Sequence, residues 1–131
     1  MKKVNKSFIK SSHHITNLKL CSIRLIDNCK FPWIILIPNR KNITDFTELN
    51  LKDQILLMKE IVHCSKLMKK IFKTNKLNVE KIGNIVSQLH IHIIARFIKD
   101  SSWPLSVWVV KGKPYSKKSL EVVINKLRKS F

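Results

Sequence analysis

The chain predicts a mixed α+β fold, its strands mostly antiparallel, with one long helix packed on a sheet. Three stretches carry that expectation. From Gln88 to Ile98 polar and apolar residues alternate with a period of two, which suits a strand with one polar face. Trp33 to Ile37 is a compact apolar run closed by Pro38, too short for a helix and rich in isoleucine. From Leu51 to about Phe72, Ile55, Met58, Ile61, Val62, Met68 and Phe72 recur at spacings of three or four, which predicts an amphipathic helix with a core-facing stripe.

The remaining elements follow in order. Residues 1–13 are lysine-rich and weakly patterned, consistent with a flexible N-terminal segment or a short helix. Leu18 to Ile26 alternates loosely and carries β-branched residues, so a strand is expected before the turn Asp27-Asn28-Cys29-Lys30. Asn39 to Asn50 reads as a loop, with Thr47 or Asn50 able to cap the long helix. Leu77 to Val86 reads as a strand interrupted around Gly83. Ser101 to Tyr115 is a loop holding Trp103, Pro104, Trp108, Gly112 and Pro114. Ser116 then caps a C-terminal amphipathic helix over 116–131, through Leu120, Val123, Ile124 and Leu127. No repeat or linker interrupts the pattern, so 1–131 is expected to form a single domain, long enough to bury a core.

A net charge of +18 suggests a nucleic-acid partner at first sight. The composition points elsewhere. Lysine supplies 22 of the 26 basic residues, and Lys, Ile and Asn make up 50 of the 131. These amino acids share A/T-rich codons, so mutational bias accounts for much of the excess, and the lysines are spread with no arginine block. Salt-sensitive, non-specific binding to polyanions and steering of anionic small substrates are what this charge predicts. Cys21, Cys29 and Cys64 are odd in number and lack C-x-x-C spacing, against a disulfide framework or a cysteine zinc site. Met1 to Ser12 lacks the apolar stretch of a secretory signal. No run approaches the roughly 20 apolar residues of a membrane helix. A cytoplasmic protein with no membrane association is expected.

On the alternating strand Gln88, His90, His92 and Arg96 share one face, while Leu89, Ile91, Ile93, Ala95 and Phe97 point into the core. Histidines at i and i+2 are neighbours, suited to a metal, a phosphate or a merely polar face. Zinc needs further ligands, and nothing in the spacing of His13, His14 or His63 ties them to this pair. Gly83, close upstream, favours a phosphorylated substrate. Arg96 suits a distal phosphate or a rim salt bridge about equally. Trp103, Trp108 and Tyr115 suit packing better than base stacking.

The stretch Gly83-Asn84-Ile85-Val86-Ser87-Gln88-Leu89-His90-Ile91-His92-Ile93-Ile94 resembles the signature of the histidine-triad (HIT) family, in which Gly-Gln/Asn-Ser/Thr-Val precedes alternating histidines and apolar residues. Cys21 to Pro38, with its Asp27-Asn28 turn, is similar to that family's nucleoside-binding hairpin. The helix from Leu51 and the Leu77-Asn78 strand follow in the same order. Trp103-Pro104 is similar to a bacterial branch with a Gln-x-His-x-His motif. The resemblance spans about residues 18–108.

That resemblance implies a five-stranded antiparallel sheet with one long helix packed on it and a C-terminal helix, paired as a homodimer. It implies a hydrolase or nucleotidyl transferase acting at the α-phosphate of a dinucleoside polyphosphate, nucleoside phosphoramidate or related nucleotide conjugate. His90 would be the nucleophile forming a nucleotidyl-histidine, and His92 would donate to a phosphate oxygen. Gln88, in the first histidine's place, can hydrogen-bond but cannot titrate. Gly83 and Asn84 match the phosphate loop, Asp27 or Asn28 the ribose contact, and Asn78 and Arg96 are candidate substrate-binding positions. No metal is required, although Mg²⁺ is compatible with some substrates. The sequence also departs from the family. Ile85 stands where Ser or Thr is usual, Trp33 replaces a hairpin histidine, and the Asn78–His90 interval is one residue short. A catalytically weakened nucleotide-binding module, or a protein acting on adenylated nucleic-acid ends, are the alternatives.

Overall fold

The computed structural model describes residues 4–131. Its elements are α1 (Lys6–Ser11), β1 (Ser12–Asn17), β2 (Cys21–Ile26), β3 (Trp33–Pro38), α2 (Leu51–Phe72), β4 (Lys76–Glu80), β5 (Ile91–Arg96) and α3 (Lys117–Ser130). The strands form one sheet in the order β1-β2-β3-β5-β4, antiparallel at every pairing.

All six residues of β3 are buried, because both faces of the sheet are covered. Ile34 and Leu36 join Ile23, Leu25, Ile91, Ile93 and Ala95 against Leu57, Cys64 and Met68 of α2 and Leu127 of α3. Trp33, Ile35 and Ile37 point the other way, toward Phe31, Ile94, Val107 and Phe8 of α1. A strand packed on both faces reads as an unbroken apolar run, which is how Trp33–Ile37 reads.

Asn50 caps α2 by accepting the Asp53 N–H, and Lys73 ends it in the left-handed region at φ 54°. The buried stripe differs from the expected one. It runs Asp53, Leu57, Glu60, Cys64 and Met68, while Ile55, Met58 and Val62 are 50%, 58% and 44% exposed. Two carboxylates occupy the buried face because each has donors waiting. Glu60 accepts the N–H groups of Leu20 (2.8 Å) and Cys21 (2.9 Å) at the start of β2. Asp53 takes Nε and Nη2 of Arg40 at 2.6 and 2.9 Å. The helix is thus docked by charge-assisted bonds as well as by apolar contact.

Three strand expectations are corrected. Leu18–Ile26 is broken by a tight turn in which Leu18 N–H meets the Cys21 carbonyl at 2.8 Å, and the preceding residues form β1, paired with β2 across a bulge between His14 and Thr16. Of the two readings of the N-terminal segment, the short helix holds for residues 6–11; residues 1–3 lie outside the described residues. The strand expected over Leu77–Val86 ends at Glu80, and β5 starts only at Ile91. Leu89 N–H leaves the sheet to reach the Ile43 carbonyl at 2.9 Å, so Gln88 and His90 precede the ladder. The C-terminal helix is capped by Ser116 and tied to β1 through Arg128 Nη2 and the His14 carbonyl, 2.8 Å. Among the described residues no helix is long and apolar enough to cross a membrane.

Candidate active site

On the α1 side of the sheet His90 and His92 stand together, ring centroids 4.7 Å apart, beside a cavity of about 570 Å³. The register places His92 between Ile35 of β3 and Glu80 of β4. The loop Ile82–Val86 forms one wall of the cavity, Phe8 and Ser11 another, and Trp33 and Trp108 line it as well.

The two imidazoles are held as opposite tautomers. His90 Nδ1 lies 2.7 Å from the Gln88 carbonyl. A carbonyl only accepts, so Nδ1 carries the proton and Nε2 keeps an unused lone pair. At His92, Trp33 Nε1 donates to Nδ1 at 3.0 Å, and an indole N–H only donates. His92 is therefore protonated at Nε2, which faces the Ile82 carbonyl at 3.2 Å. Burial lowers the pKa of His90; the Gln88 carbonyl opposes that and the Lys81 ammonium adds to it. Burial, reinforced by His90 and opposed by the Ile82 carbonyl, lowers His92 to about 4. Both rings are neutral near pH 7.

Aromatic packing fixes their planes. Phe8 meets His90 edge-on at 4.5 Å, and Trp108 meets His92 at 5.3 Å and Trp33 at 5.0 Å. Trp108 is itself held by Glu80, whose Oε1 accepts the indole N–H at 3.0 Å. Gly83 lies close to His90, so that a Cβ there would stand 3.6 Å from Cε1 of the ring, and Asn84 also lines the cavity.

The other expected site residues lie elsewhere. Gln88 does not line the cavity: its Oε1 accepts the Asn5 N–H at 2.8 Å, and it serves His90 through its backbone carbonyl. Asp27 accepts the Tyr115 N–H at 2.9 Å and sits 3.5 Å from His13 Nε2. Asn28 accepts the N–H groups of Lys30 (3.0 Å) and Lys113 (3.4 Å). Both turn toward residues 111–115, and Ile26 reaches the cavity instead.

Arg96 and Asn78 are brought to each other, not to the histidines. Arg96 is 1% exposed, donates to Asn78 Oδ1 (2.5 Å), to both oxygens of Asp100 (2.8 and 3.1 Å) and to the Leu105 carbonyl (2.7 Å). Its guanidinium lies between the rings of Phe31 and Trp103. Of the two readings of Arg96, the geometry shows the salt bridge, buried rather than at the rim, with Asp100 as its partner. Four residues past His92 is about 13 Å at strand rise, which puts Arg96 in a separate buried node.

Sequence reasoning missed Phe8, Ser11, Ile82 and Trp108 as walls. The available signal for Trp108 was a large aromatic within the apolar run Val107-Trp108-Val109-Val110 of a loop; nothing around Phe8 distinguishes it. Among the described residues no group of three or more His, Cys, Asp or Glu is placed to hold a metal ion.

The HIT domain family model matches residues 8–99. Among solved structures, the chain is similar to a histidine triad protein from Bradyrhizobium japonicum, with 32% identity and a TM-score of 0.94 over 98% of this chain and 97% of that one. A histidine triad (HIT) protein from Sinorhizobium meliloti gives 31%, 0.94, 99% and 97%. At 19% identity and a TM-score of 0.62, a Plasmodium falciparum diadenosine triphosphate hydrolase shares the fold over 96% of this chain and 77% of its own. No curated protein matches the sequence.

Proposed function

The chain belongs to the HIT domain family, and on that premise we propose that it is a nucleotide hydrolase or nucleotidyl transferase with His90 as its nucleophile. The observation that carries this reading is the lone pair on His90 Nε2, left free because Nδ1–H is committed to the Gln88 carbonyl. In the step proposed, Nε2 attacks the α-phosphorus, a phosphorus–nitrogen bond forms, and the leaving group departs with the electron pair of its own bond to phosphorus. The Gln88 carbonyl stabilises the cationic ring of the nucleotidyl-histidine. Water then attacks phosphorus as the phosphorus–nitrogen bond breaks; its electron pair returns to Nε2 to restore the neutral ring, the proton lost by the water passes to solvent, and the nucleoside monophosphate is released. No metal ion enters these steps.

The substrates proposed are dinucleoside polyphosphates, nucleoside phosphoramidates and related conjugates, adenylated nucleic-acid ends included. The fold shared with a diadenosine triphosphate hydrolase supports the first class. The cavity wall is mostly apolar, with Phe8, Ile26, Trp33, Ile82, Val86 and Trp108 offering surface to a nucleobase or an apolar leaving group. Leaving groups that depart as stable anions should react faster than amines, because His92 Nε2–H and the Gln88 side chain are already engaged. The same engagement favours one second reading, a nucleotide-binding module with very slow turnover.

The proposed assembly is a homodimer. Leu51, Ile55, Met58 and Val62 form an exposed apolar stripe on α2, and β4 lies at the sheet edge. An open edge and an unpartnered apolar stripe are what a second copy would cover.

The test is intact-mass measurement after incubation with diadenosine polyphosphates and adenosine phosphoramidates. An adduct of one AMP that disappears in His90→Ala supports the enzyme. Binding with neither adduct nor AMP release supports the binding module. Neither binding nor release overturns both.

A further inference from the structure

His92 lies beside the nucleophile, yet both of its nitrogens are already used. Trp33, from the centre of the sheet, supplies a rigid donor to Nδ1, and the Nε2 proton left over points to the carbonyl of Ile82. Ile82 opens the loop that carries Gly83 and Asn84 along the cavity. Two indoles hold the ring in place: Trp33 meets it at 60° and 5.6 Å, Trp108 at 89° and 5.3 Å. Glu80, opposite His92 across the ladder, fixes Trp108 through its indole N–H. The ring contacts fix the orientation of the imidazole, and the indole N–H of Trp33 fixes its tautomer.

We propose that Trp33 is a positioning residue that selects the Nε2–H tautomer of His92, so that His92 tethers the Ile82–Val86 loop against His90 instead of donating to the substrate phosphate. The inference rests on the reading of His90 as nucleophile for its functional meaning, although the tautomer itself does not. An imidazole has one proton when neutral. A donor that occupies Nδ1 forces that proton to Nε2, where the carbonyl of Ile82 in the loop is placed to accept it. Without the indole N–H both tautomers become accessible, and in the alternative one Nε2 would turn a lone pair on the Ile82 carbonyl, pushing the loop away. Phenylalanine at position 33 keeps the ring but not the donor. Glutamine at position 92 carries an amide N–H to about the Nε2 position, whereas asparagine stops short of it.

The test is ¹⁵N–¹H spectroscopy of imidazole-labelled protein at neutral pH. The expected pattern is a protonated Nε2 at His92 with an unprotonated Nδ1, and the reverse at His90. In Trp33→Phe the His92 nitrogens should move toward an averaged pattern, and AMP should bind about tenfold more weakly, the worth of one lost hydrogen bond. His92→Gln should retain AMP affinity within about threefold, while His92→Asn loses about tenfold. A protonated Nδ1 at His92, or an imidazolium there, in the unsubstituted protein overturns the proposal even if Trp33→Phe fails to fold. So does a His92 pattern unchanged in a folded Trp33→Phe. If the tautomers are as stated but no AMP adduct forms on His90, the enzymatic reading falls while the positioning role of Trp33 stands.

Discussion

A methyl group built on Gly83 would stand 3.6 Å from Cε1 of His90 and 3.1 Å from the Val86 carbonyl oxygen. Glycine is needed here for space, since its φ is not in the left-handed region. Gly83→Ala should therefore push the Val86 carbonyl, and with it the loop, by a few tenths of an ångström, while the His90 ring stays at ordinary contact distance. Adduct formation should slow on the order of tenfold, because attack geometry is sensitive to small displacements. Melting temperature should move by only a few degrees. Unchanged adduct kinetics would show that the close approach has no bearing on the ring.

Arg96 and Asp100 form the buried ion pair at the far end of β5. Removing the guanidinium in Arg96→Met would leave an uncompensated carboxylate with side-chain exposure of 4%. A loss of about 3 kcal/mol or more in urea unfolding is expected. AMP affinity of the folded fraction should stay within about twofold, because the node lies away from the cavity. A large drop in affinity at preserved stability would return Arg96 to the site.

Acid should weaken the fold in two windows. Burial resists protonation of His92, so its pKa falls from 6.5 to about 4. The unfolded chain takes up that proton first, so this part of the stability is complete above pH 6.5 and declines as pH falls toward 4, by about 3 kcal/mol. Burial opposes ionisation of Asp100, but Arg96 and the N–H groups of Phe97, Ser102 and Trp103 outweigh it and lower the carboxyl from 3.8 to about 2. That contribution is complete above pH 3.8 and is lost as pH falls through 2, on the order of 2 kcal/mol. Urea titrations at several pH values should show both windows; His92→Gln should shrink the first and leave the second, the remainder of the first coming from His90, whose pKa burial also lowers.

Met58→Glu places a carboxylate in the middle of the exposed α2 stripe. Sedimentation should give a dimer for the unsubstituted protein and a monomer for the variant, with the helical circular-dichroism signal kept. A monomer in both cases would remove the dimer from the proposal.

Much of this architecture was legible. The isoleucine-rich β3 follows from an unbroken apolar run, the extent and cap of α2 from its helical spacing, and β5 from its alternation. What local pattern could not reveal was which of two apolar stripes on α2 faces inward. That choice depends on Arg40 and on the β2 N–H groups, which give Asp53 and Glu60 partners from distant parts of the chain. The histidine pair was legible for the same reason as β5. The engagement of Gln88 with Asn5 and of Asp27 with Tyr115 was not, since each is settled by a partner more than 80 residues away whose position only the folded chain defines, whereas a salt bridge for Arg96 was one of the two readings its sequence offered. Period two groups residues by face but is blind to distance along the strand, which is why Arg96 was read with His92.

The bond from Asn5 N–H to Gln88 Oε1 joins positions 83 residues apart. With Phe8 resting on His90, it makes the beginning of the chain a lining for the ring that comes two-thirds of the way along it. The pocket is therefore complete only where α1 and the sheet are both in place. Competence at this site consequently reports on the whole molecule, and a loosened N-terminal helix would switch it off well before the sheet itself comes apart.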